Sequence, residues 1–443
     1  MMEPRICIIG AGISGLSVGY QLMKAGFRPV VFEKESFAGG RMSSERVEGY
    51  VIDKGAYTLP EFHRLTVELI REVGLESSLE ETSGTSSTFY DKEAFPIKIG
   101  APADFLKYGL LSFRNKRDLV KLFLYATSLG KALNLGRPTE KSFELETETT
   151  ARYLLREYDE EVLEKIAYPI FCEIFLGTPE TNSKLAFLST IRNLTSFKIF
   201  SLREGLGSLA EALRRKLDVR FHSPVLQVRA TADDQTYTVS VGGDRPQSFT
   251  FHTVVFAIPA PLVPSLLPDI PESVREGIGK VVYAASMVVV MGVDQPLPGT
   301  SFINNLSRRN FRILATLVVD HHKGPARIPA GKGLVTAILR DEASRALSEQ
   351  SDGTITAEVL KETGFVFPGF SEHVIFSRVY RWPYGAVQLT PGALRQQIST
   401  RKAWEECFPS LYLVSDDLRH SSVETQVRAG IDVAEKITRK YQG

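Results

Sequence analysis

The stretch RICIIGAGISG, Arg5–Gly15, decides the fold of this chain. An apolar run of strand length, Ile6–Ile9, leads into a turn with the pattern G-x-G-x-x-G at Gly10, Gly12 and Gly15. The first glycine permits a sharp turn, the second lets backbone approach a pyrophosphate, and the third lets a helix pack closely on the strand. The pattern predicts a dinucleotide-binding turn.

The residues that follow complete a strand–helix–strand unit. Leu16–Lys24 predicts an apolar helix, and we expect its N-terminus, near Ser14, to present N–H groups and the positive end of its dipole to phosphates. A second strand, Val30–Phe32, ends in Glu33, which can accept both ribose hydroxyls of an adenosine. A chance glycine turn is the alternative, but it would not require the helix, the second strand and the acid at this spacing.

The composition sets the class of protein. A chain of 443 residues is too long for one ordinary core, so two or three domains are expected. Apolar residues make up 43% and charged residues 24%, which is typical of a globular protein, and a net charge of +1 gives no electrostatic grip on nucleic acid. The cysteines Cys7, Cys172 and Cys407 are far apart, which predicts no metal site and a reducing, cytoplasmic setting.

Two further motifs carry a family resemblance. Gly39–Arg41 reads GGR and Asp53–Ala56 reads DKGA, both soon after the unit described above. Their succession resembles the flavin-containing amine oxidase superfamily, which includes protoporphyrinogen oxidases and carotenoid desaturases. The resemblance implies non-covalent FAD, with GGR along its pyrophosphate and DKGA near the flavin ring. A guanidinium suits phosphate oxygens because it binds them bidentately, whereas the plainer interpretation of Arg41 is a solvated side chain.

Later stretches extend the resemblance over nearly the whole chain. A strand, Ser-Pro-Val and a second strand place Val225 where the superfamily holds the adenine with its backbone. The final predicted strand, Leu411–Val414, is followed by Asp416, which the superfamily uses near the ribityl and pyrophosphate groups. The helix that begins near Val423 would meet the flavin pyrimidine. The cofactor contacts expected on this basis, in addition to those of the first turn, are Gly40, Arg41, Gly55, Ala56, Val225, Asp416 and Val423.

The substrate side is predicted less sharply. The stretch Arg381–Gly392 resembles one in protoporphyrinogen oxidases and would place Trp382 and Tyr384 beside flavin and substrate. Tyr57 stands where some of these enzymes have an arginine for a substrate carboxylate. Phe175 is a further candidate for an apolar pocket, although aromatic residues at helical spacing more often belong to a core. No catalytic constellation is assigned, and His321-His322 is expected to be exposed.

The resemblance implies an α/β fold, in which a Rossmann-type FAD-binding domain is interleaved with an α+β substrate domain and a helical subdomain. The expected division is residues 1–80, 201–275 and 396–443 for FAD binding, 81–200 for the helical subdomain and 276–395 for the β-rich substrate domain. No apolar run is long enough to span a membrane. Within Ala101–Leu135, mixed basic and apolar residues indicate either an ordinary helical subdomain or an interfacial surface that meets a membrane.

The leading functional hypothesis is an FAD-dependent oxidase or desaturase similar to protoporphyrinogen oxidase. It would take a hydride from a mainly apolar or aromatic small molecule, and oxygen or a quinone would reoxidise the flavin. Amine or amino-acid oxidation is the second hypothesis, although Lys280 lies too early to match the lysine of many amine oxidases in the superfamily. A non-redox flavin-dependent isomerase or mutase is the third.

Overall fold

The computed structural model of the protein describes residues 4–98, 100–193, 198–232, 235–297, 299–414 and 421–443. The strands in chain order are β1 (Ile6–Ile9), β2 (Val30–Phe32), β3 (Ser44–Val47), β4 (Tyr50–Asp53), β5 (Leu59–Pro60), β6 (Leu79–Glu81), β7 (Thr85–Tyr90), β8 (Glu93–Lys98), β9 (Ile199–Leu202), β10 (Asp218–Arg220), β11 (Val225–Ala230), β12 (Tyr237–Val241), β13 (Gln247–Phe251), β14 (Thr253–Phe256), β15 (Tyr283–Val293), β16 (Ile303–Leu306), β17 (Leu314–Val319), β18 (Gly333–Leu339), β19 (Val374–Val387) and β20 (Leu411–Leu413).

The helices in chain order are α1 (Ile13–Lys24), α2 (Arg64–Glu72), α3 (Pro102–Lys107), α4 (Phe113–Ser128), α5 (Glu140–Leu145), α6 (Thr150–Glu157), α7 (Glu160–Val162), α8 (Tyr168–Ile170), α9 (Lys184–Asn193), α10 (Gly207–Arg214), α11 (Val263–Leu266), α12 (Glu272–Gly279), α13 (Asp341–Ala346), α14 (Asp352–Val366), α15 (Ala393–Cys407) and α16 (Val423–Gln442). Two π-helical turns, Leu163–Ala167 and Phe171–Phe175, flank α8. In the described residues, no helix combines the length and apolarity that crossing a membrane requires.

A five-stranded parallel sheet lies at the centre of the nucleotide-binding part, with the order β10–β2–β1–β14–β20. Successive residues of β1 enter opposite cores because side chains alternate along a strand. Ile6 and Ile8 pack with α1 and α16, while Cys7 and Ile9 pack with Phe256 on the other face. The predicted Rossmann-type α/β fold is confirmed.

This sheet gathers segments that are distant in the chain. β1 and β2 come from the first predicted segment of the FAD-binding domain, β10 and β14 from the second, and β20 from the third. The domain boundaries themselves remain predictions. Strands β12 and β13 form an antiparallel hairpin across Gly242-Gly243.

A seven-stranded sheet, β19–β15–β18–β17–β16–β7–β8, forms the second large layer. Its longest strands, β15 and β19, pair antiparallel through a bulge near Gly385. The hairpin of β7 and β8 joins this sheet because β7 pairs parallel with β16. The segment predicted as a helical subdomain therefore also contributes an edge of the substrate-side sheet.

Local contacts set two of the helix limits. Pro60 pairs in β5, and α2 begins only at Arg64. Helix α6 ends at Glu157. The Asp159 side chain there accepts a hydrogen bond from the Val162 N–H, which starts a new helix.

Candidate functional site

The first glycine turn forms a cradle at the end of β1. Gly10 has φ +103°, and a Cβ there would lie 2.7 Å from the Ala257 carbonyl oxygen. A Cβ on Gly15 would lie 2.1 Å from the Gly10 carbonyl oxygen, so α1 is held close against the turn. Gly12 differs, because a Cβ there would meet no protein atom within 4 Å. The open space faces the N-terminus of α1, where Ser14 is buried in the first turn, and it suits a pyrophosphate.

The second glycine motif closes the other side of this cradle. The N–H of Gly39 donates to the Ala11 carbonyl at 2.8 Å, and a Cβ on Gly40 would approach only the Gly12 Cα, at 3.8 Å. Arg41 extends away from the turn, and its Nη1 donates to the carbonyls of Tyr384 and Gly385 at 3.0 and 2.9 Å. Arg41 thus ties the cradle to β19. Its contact with pyrophosphate stays a prediction.

Glu33 directly follows β2, at the edge of the cradle. Its Oε2 accepts from the Ala11 N–H at 2.7 Å and its Oε1 from the Glu35 N–H at 3.0 Å. Burial raises the pKa of Glu33, and these backbone donors partly offset the shift. The Ser223 N–H donates to the Glu33 carbonyl at 2.8 Å, which brings Val225, at the start of β11, to the same edge. The arrangement fits an adenosine, while both individual contacts stay predictions.

The DKGA segment lies between Arg41 and Trp382. The Ala56 N–H donates to the Arg41 carbonyl at 2.8 Å, and the Trp382 Nε1 donates to the Lys54 carbonyl at 2.8 Å. A Cβ on Gly55 would lie 2.4 Å from the Arg41 carbonyl oxygen, so this position has no room for a side chain. The segment therefore connects the cradle to the aromatic residues of β19.

Three of the four substrate-side candidates lie around this segment. Tyr57 follows Ala56 directly, Trp382 bonds to the segment, and Tyr384 packs edge-on against Tyr283 at 5.4 Å between ring centres. All three candidates are half-buried, and their contact with a substrate stays a prediction.

Phe175, the fourth substrate-side candidate, lies in the helical core. Its ring is 2% exposed and lies 4.9 Å from the Phe171 ring, in the helical core. Its carbonyl accepts from Gln388 Nε2 at 2.8 Å. Phe175 therefore anchors the π-helical turn to the end of β19, and its part in a substrate pocket stays a prediction.

Sequence reasoning missed Glu173, which lies on that turn. The Tyr57 hydroxyl lies 3.3 Å from Glu173 Oε1, and the Asn305 side chain also bonds to this carboxyl. Burial raises the pKa of Glu173 to about 7, although Tyr57 and Asn305 favour the charged form. Burial, and then the charge of Glu173, hold the pKa of Tyr57 well above its usual value. No local sequence pattern indicates this contact, because the two residues are 116 positions apart.

A buried charge cluster, also missed, lies behind Tyr57. Asp53 Oδ2 accepts from Arg327 Nη2 at 2.5 Å and from Lys323 Nζ at 3.2 Å, and Lys323 also pairs with Asp320. These side chains are at most 2% exposed. Burial alone would raise the pKa of Asp53, but Arg327 and Lys323 lower it overall. Because Asp53 is the first residue of the DKGA segment, these ion pairs hold the start of the segment in place.

His321 and His322 were predicted to be exposed, and both are instead half-buried in the short turn that precedes Lys323. Burial lowers the pKa of each imidazole, so both are neutral at pH 7. Lys323, which directly follows the turn, forms buried ion pairs with Asp53 and Asp320, and these hold the turn against the protein.

The C-terminal helix α16 starts beside the cradle. Ser422 caps it by accepting from the Thr425 N–H at 3.2 Å, and Val423 is buried among residues that include α1. A Cβ on Gly430 would lie 2.6 Å from the Ser17 Cβ, so this glycine allows α16 to lie directly on α1. Asp416 lies outside the described residues. The contact of Val423 with a flavin stays a prediction.

Comparisons with known proteins agree with this geometry. The L-amino-acid oxidase of Sistrurus catenatus edwardsii is 24% identical over 271 residues, which cover 57% of this chain and 50% of that enzyme. The mitochondrial protoporphyrinogen oxidase of Nicotiana tabacum is 27% identical over 180 residues, which cover 40% of this chain and 34% of that enzyme. The chain thus spans half or less of the length of these relatives.

Among solved structures, a candidate protoporphyrinogen oxidase from Exiguobacterium sp. 255-15 superposes with a TM-score of 0.80 over 99% of this chain and 100% of its own, at 22% identity. This likeness shows the fold. Residues 13–438 match the model of the flavin containing amine oxidoreductase family. The cradle between Gly12 and Gly40, with Glu33 at its edge, fits the dinucleotide form of a flavin. The chain is therefore a member of the flavin containing amine oxidoreductase family, an oxidoreductase whose cofactor is FAD.

Proposed function

We propose that this protein is an FAD-dependent oxidase or desaturase that takes a hydride from a mainly apolar or aromatic small molecule. The observation that carries the proposal is the gathering of Tyr57, Trp382 and Tyr384 around the DKGA segment, one residue layer away from the cradle. Aromatic side chains beside the cofactor suit a ring or a polyene. Oxygen or a quinone is the proposed electron acceptor.

Each part of the chain has a role in this proposal. When bound, FAD supplies the acceptor for the hydride. Gly12, Gly40 and the N-terminus of α1 hold its pyrophosphate, and Glu33 holds its ribose. Trp382 and Tyr57 orient the substrate and exclude water from the reacting face, which strengthens polar interactions inside the site. Noncovalent attachment is expected.

Amine or amino-acid oxidation is the second candidate, because one observation favours it. Glu173 places an ionisable carboxyl beside Tyr57, and a carboxylate can hold a protonated amine. An L-amino-acid oxidase is also among the relatives. A non-redox isomerase or mutase is the third alternative.

The test is a visible spectrum of the purified protein followed by anaerobic addition of donors. A porphyrinogen or polyene is expected to bleach the flavin band. Bleaching only by amines would replace the first candidate with the second. A flavin that no donor bleaches, combined with turnover without oxygen consumption, would favour the third.

We also propose peripheral contact with an anionic membrane through a surface on α3 and α4. Leu106, Phe113 and Leu124 are 68%, 85% and 61% exposed, although they are large and apolar. Lys107 and Arg114 stand among them and are exposed. Exposed apolar side chains mixed with cations are typical of helices that lie at a membrane interface.

A further inference from the structure

The indole of Trp382 is held through its N–H group. The Nε1 atom donates to the Lys54 carbonyl, inside the DKGA segment, at 2.8 Å. The N–H is the only hydrogen-bonding group of a tryptophan side chain. With that group engaged, the half-buried indole can offer a substrate its apolar ring surface but no hydrogen-bond donor.

The side chain of the same lysine is anchored separately. Lys54 Nζ lies 3.0 Å from Glu45 Oε2 and 4.1 Å from the centre of the Phe37 ring. The lysine side chain is only 11% exposed. A buried ammonium needs its partners, so the ion pair and the ring restrict where Lys54 can lie, and they thereby hold its carbonyl in place.

Glu45 connects Lys54 to the strand that carries Trp382. Its second oxygen, Oε1, accepts from the Tyr380 hydroxyl at 2.6 Å. Burial opposes the charge of Glu45, but the Tyr380 hydroxyl and Lys54 lower its pKa overall, so the carboxylate is charged at neutral pH. Tyr380 and Trp382 lie two positions apart on β19 and pack partly buried against the same apolar cluster.

These contacts form a closed loop. It runs from the Trp382 N–H to the Lys54 carbonyl, from the Lys54 ammonium to Glu45, and from Glu45 to Tyr380. The backbone of β19 then returns it from Tyr380 to Trp382. Because each member is bonded to the next, a change at one member alters the restraint on the others.

We propose that Lys54, Glu45 and Tyr380 are positioning residues that fix the Trp382 indole at the substrate side of the site. Their role rests on the proposed function, in which Trp382 orients the substrate. The loop keeps the indole N–H directed at the protein backbone, and the indole therefore favours apolar and aromatic substrates.

The test measures hydrogen exchange of the indole N–H groups in the FAD-loaded protein, by NMR with isotope-labelled tryptophan. The chain has two tryptophans, so the spectrum has two indole N–H signals, and Trp404→Phe assigns them. Trp404 is 1% exposed and donates to the Leu411 carbonyl at 2.9 Å. Its exchange rate therefore serves as an internal reference for the stability of the fold.

Two variants cut the loop and keep most of the side-chain volume. Tyr380→Phe and Lys54→Met should each speed exchange of the Trp382 N–H at least about threefold, since members of one hydrogen-bond network couple by such a factor or more. The Trp404 N–H should exchange as before. The double variant should resemble either single variant, because both changes act through Glu45.

Tyr168→Phe is the matched control. It removes a tyrosine hydroxyl that donates to a carboxylate, Glu180 Oε2, at 2.5 Å in the helical part of the molecule. Both indole N–H groups should exchange in this variant as they do in the unchanged protein. Tyr380→Phe removes only a hydroxyl group, so it decides the test by itself if Lys54→Met does not fold.

Three outcomes would overturn the proposal. The first is a Trp382 exchange rate that neither single variant changes. The second is an equal rise for Trp382 and Trp404, which would show general loosening of the fold. The third is a double variant whose effect is the product of the two single effects, because the residues would then act independently.

Failure of the proposed function would give a different result. A flavin ring beside Trp382 changes the magnetic environment of the indole, so its N–H signal should shift between the apoprotein and the FAD-loaded protein. A signal that stays in place would remove Trp382 from the substrate side. The exchange rates would still decide whether the loop holds the indole.

Discussion

Asp53 Oδ2 and Arg327 Nη2 lie 2.5 Å apart although the two residues are 274 positions apart in the chain. The same carboxylate caps the Leu206 N–H through Oδ1 at 2.9 Å and accepts from the Ser44 hydroxyl at 2.7 Å. One side chain thus joins the DKGA segment, the start of α10 and the turn before β18. Substrate-side and cofactor-side parts of the molecule meet at this carboxylate.

Replacing Asp53 by Asn should destabilise the protein strongly. The change leaves Lys323 and Arg327 buried with one acid, Asp320, between them, and breaking a buried pair costs about 3–5 kcal/mol. Urea unfolding measures the loss. Asp218→Asn removes an exposed pair with Arg220 and should cost less than about 1 kcal/mol. Equal effects of the two changes would contradict the role given to the cluster.

The same carboxylate sets an acid limit. Since the pKa of Asp53 is lower in the folded protein than in the unfolded chain, its contribution is complete above the unfolded value of about 3.9. This contribution to stability is lost as the pH falls through the pKa that Asp53 has in the folded protein. Urea midpoints between pH 6 and 2.5 should therefore fall more steeply for the unchanged protein than for Asp53→Asn, and parallel curves would disprove this.

Glu173 should change the stability of the protein with pH in the direction opposite to Asp53. Its pKa is about 7 in the folded protein and about 4.3 in the unfolded chain, so the folded state binds the extra proton between these values. Stability contributed by this group falls as the pH rises from 4.3 to 7. Glu173→Gln should raise the urea midpoint relative to the unchanged protein at pH 8 more than at pH 5. An equal difference in urea midpoint between the two proteins at pH 5 and pH 8 would show that the pKa of Glu173 is not raised on folding.

Two glycines of the cradle should separate binding from folding. Gly12 has φ −68°, which alanine adopts freely, and its Cβ would enter open space, so Gly12→Ala should leave the apoprotein stable but weaken FAD binding at least about tenfold. Gly15→Ala would overlap the Gly10 carbonyl and should cost about 1–3 kcal/mol even without cofactor. Thermal unfolding of the apoprotein and flavin retention measure the two effects.

Charge reversal should test the membrane surface. Lys107→Glu with Arg114→Glu is expected to lower pelleting with phosphatidylserine vesicles at least about tenfold, since each cation near an anionic surface contributes about 1 kcal/mol. Lys402→Glu with Arg439→Glu makes the same net change on exposed positions of α15 and α16. Pelleting that falls equally in both variants would show attraction by overall charge, without a defined surface.

The sequence alone predicts those features of the fold that depend on residues close together in the chain. Gly10, Gly12 and Gly15 lie within one turn, and their spacing alone predicts the sharp bend, the open approach and the close helix that the structure contains. The alternation of β1 side chains between the two cores likewise follows from neighbouring residues. The FAD cofactor and the family could be predicted for the same reason, because the motifs that carry them are short and contiguous.

Contacts between distant residues could not be predicted. Nothing near Lys323 or Arg327 indicates that both reach Asp53, and Glu173 resembles any helical glutamate until Tyr57 is placed beside it. Helical spacing alone also does not predict that the Phe175 ring lies against the Phe171 ring in the core. His321 is half-buried because its neighbour Lys323 is drawn inward by an acid 270 positions away.

The strand order β10–β2–β1–β14–β20 also constrains how the protein is made. Within this sheet the ribosome makes β1 before the other strands, and its partner β14 follows only after about 250 residues and β20 after about 400. Until then, apolar strand edges of the nascent chain lack their neighbours. Chaperone demand during synthesis, and aggregation of chains that stop before Leu411, should therefore be high even though the finished sheet has β1 at its protected centre.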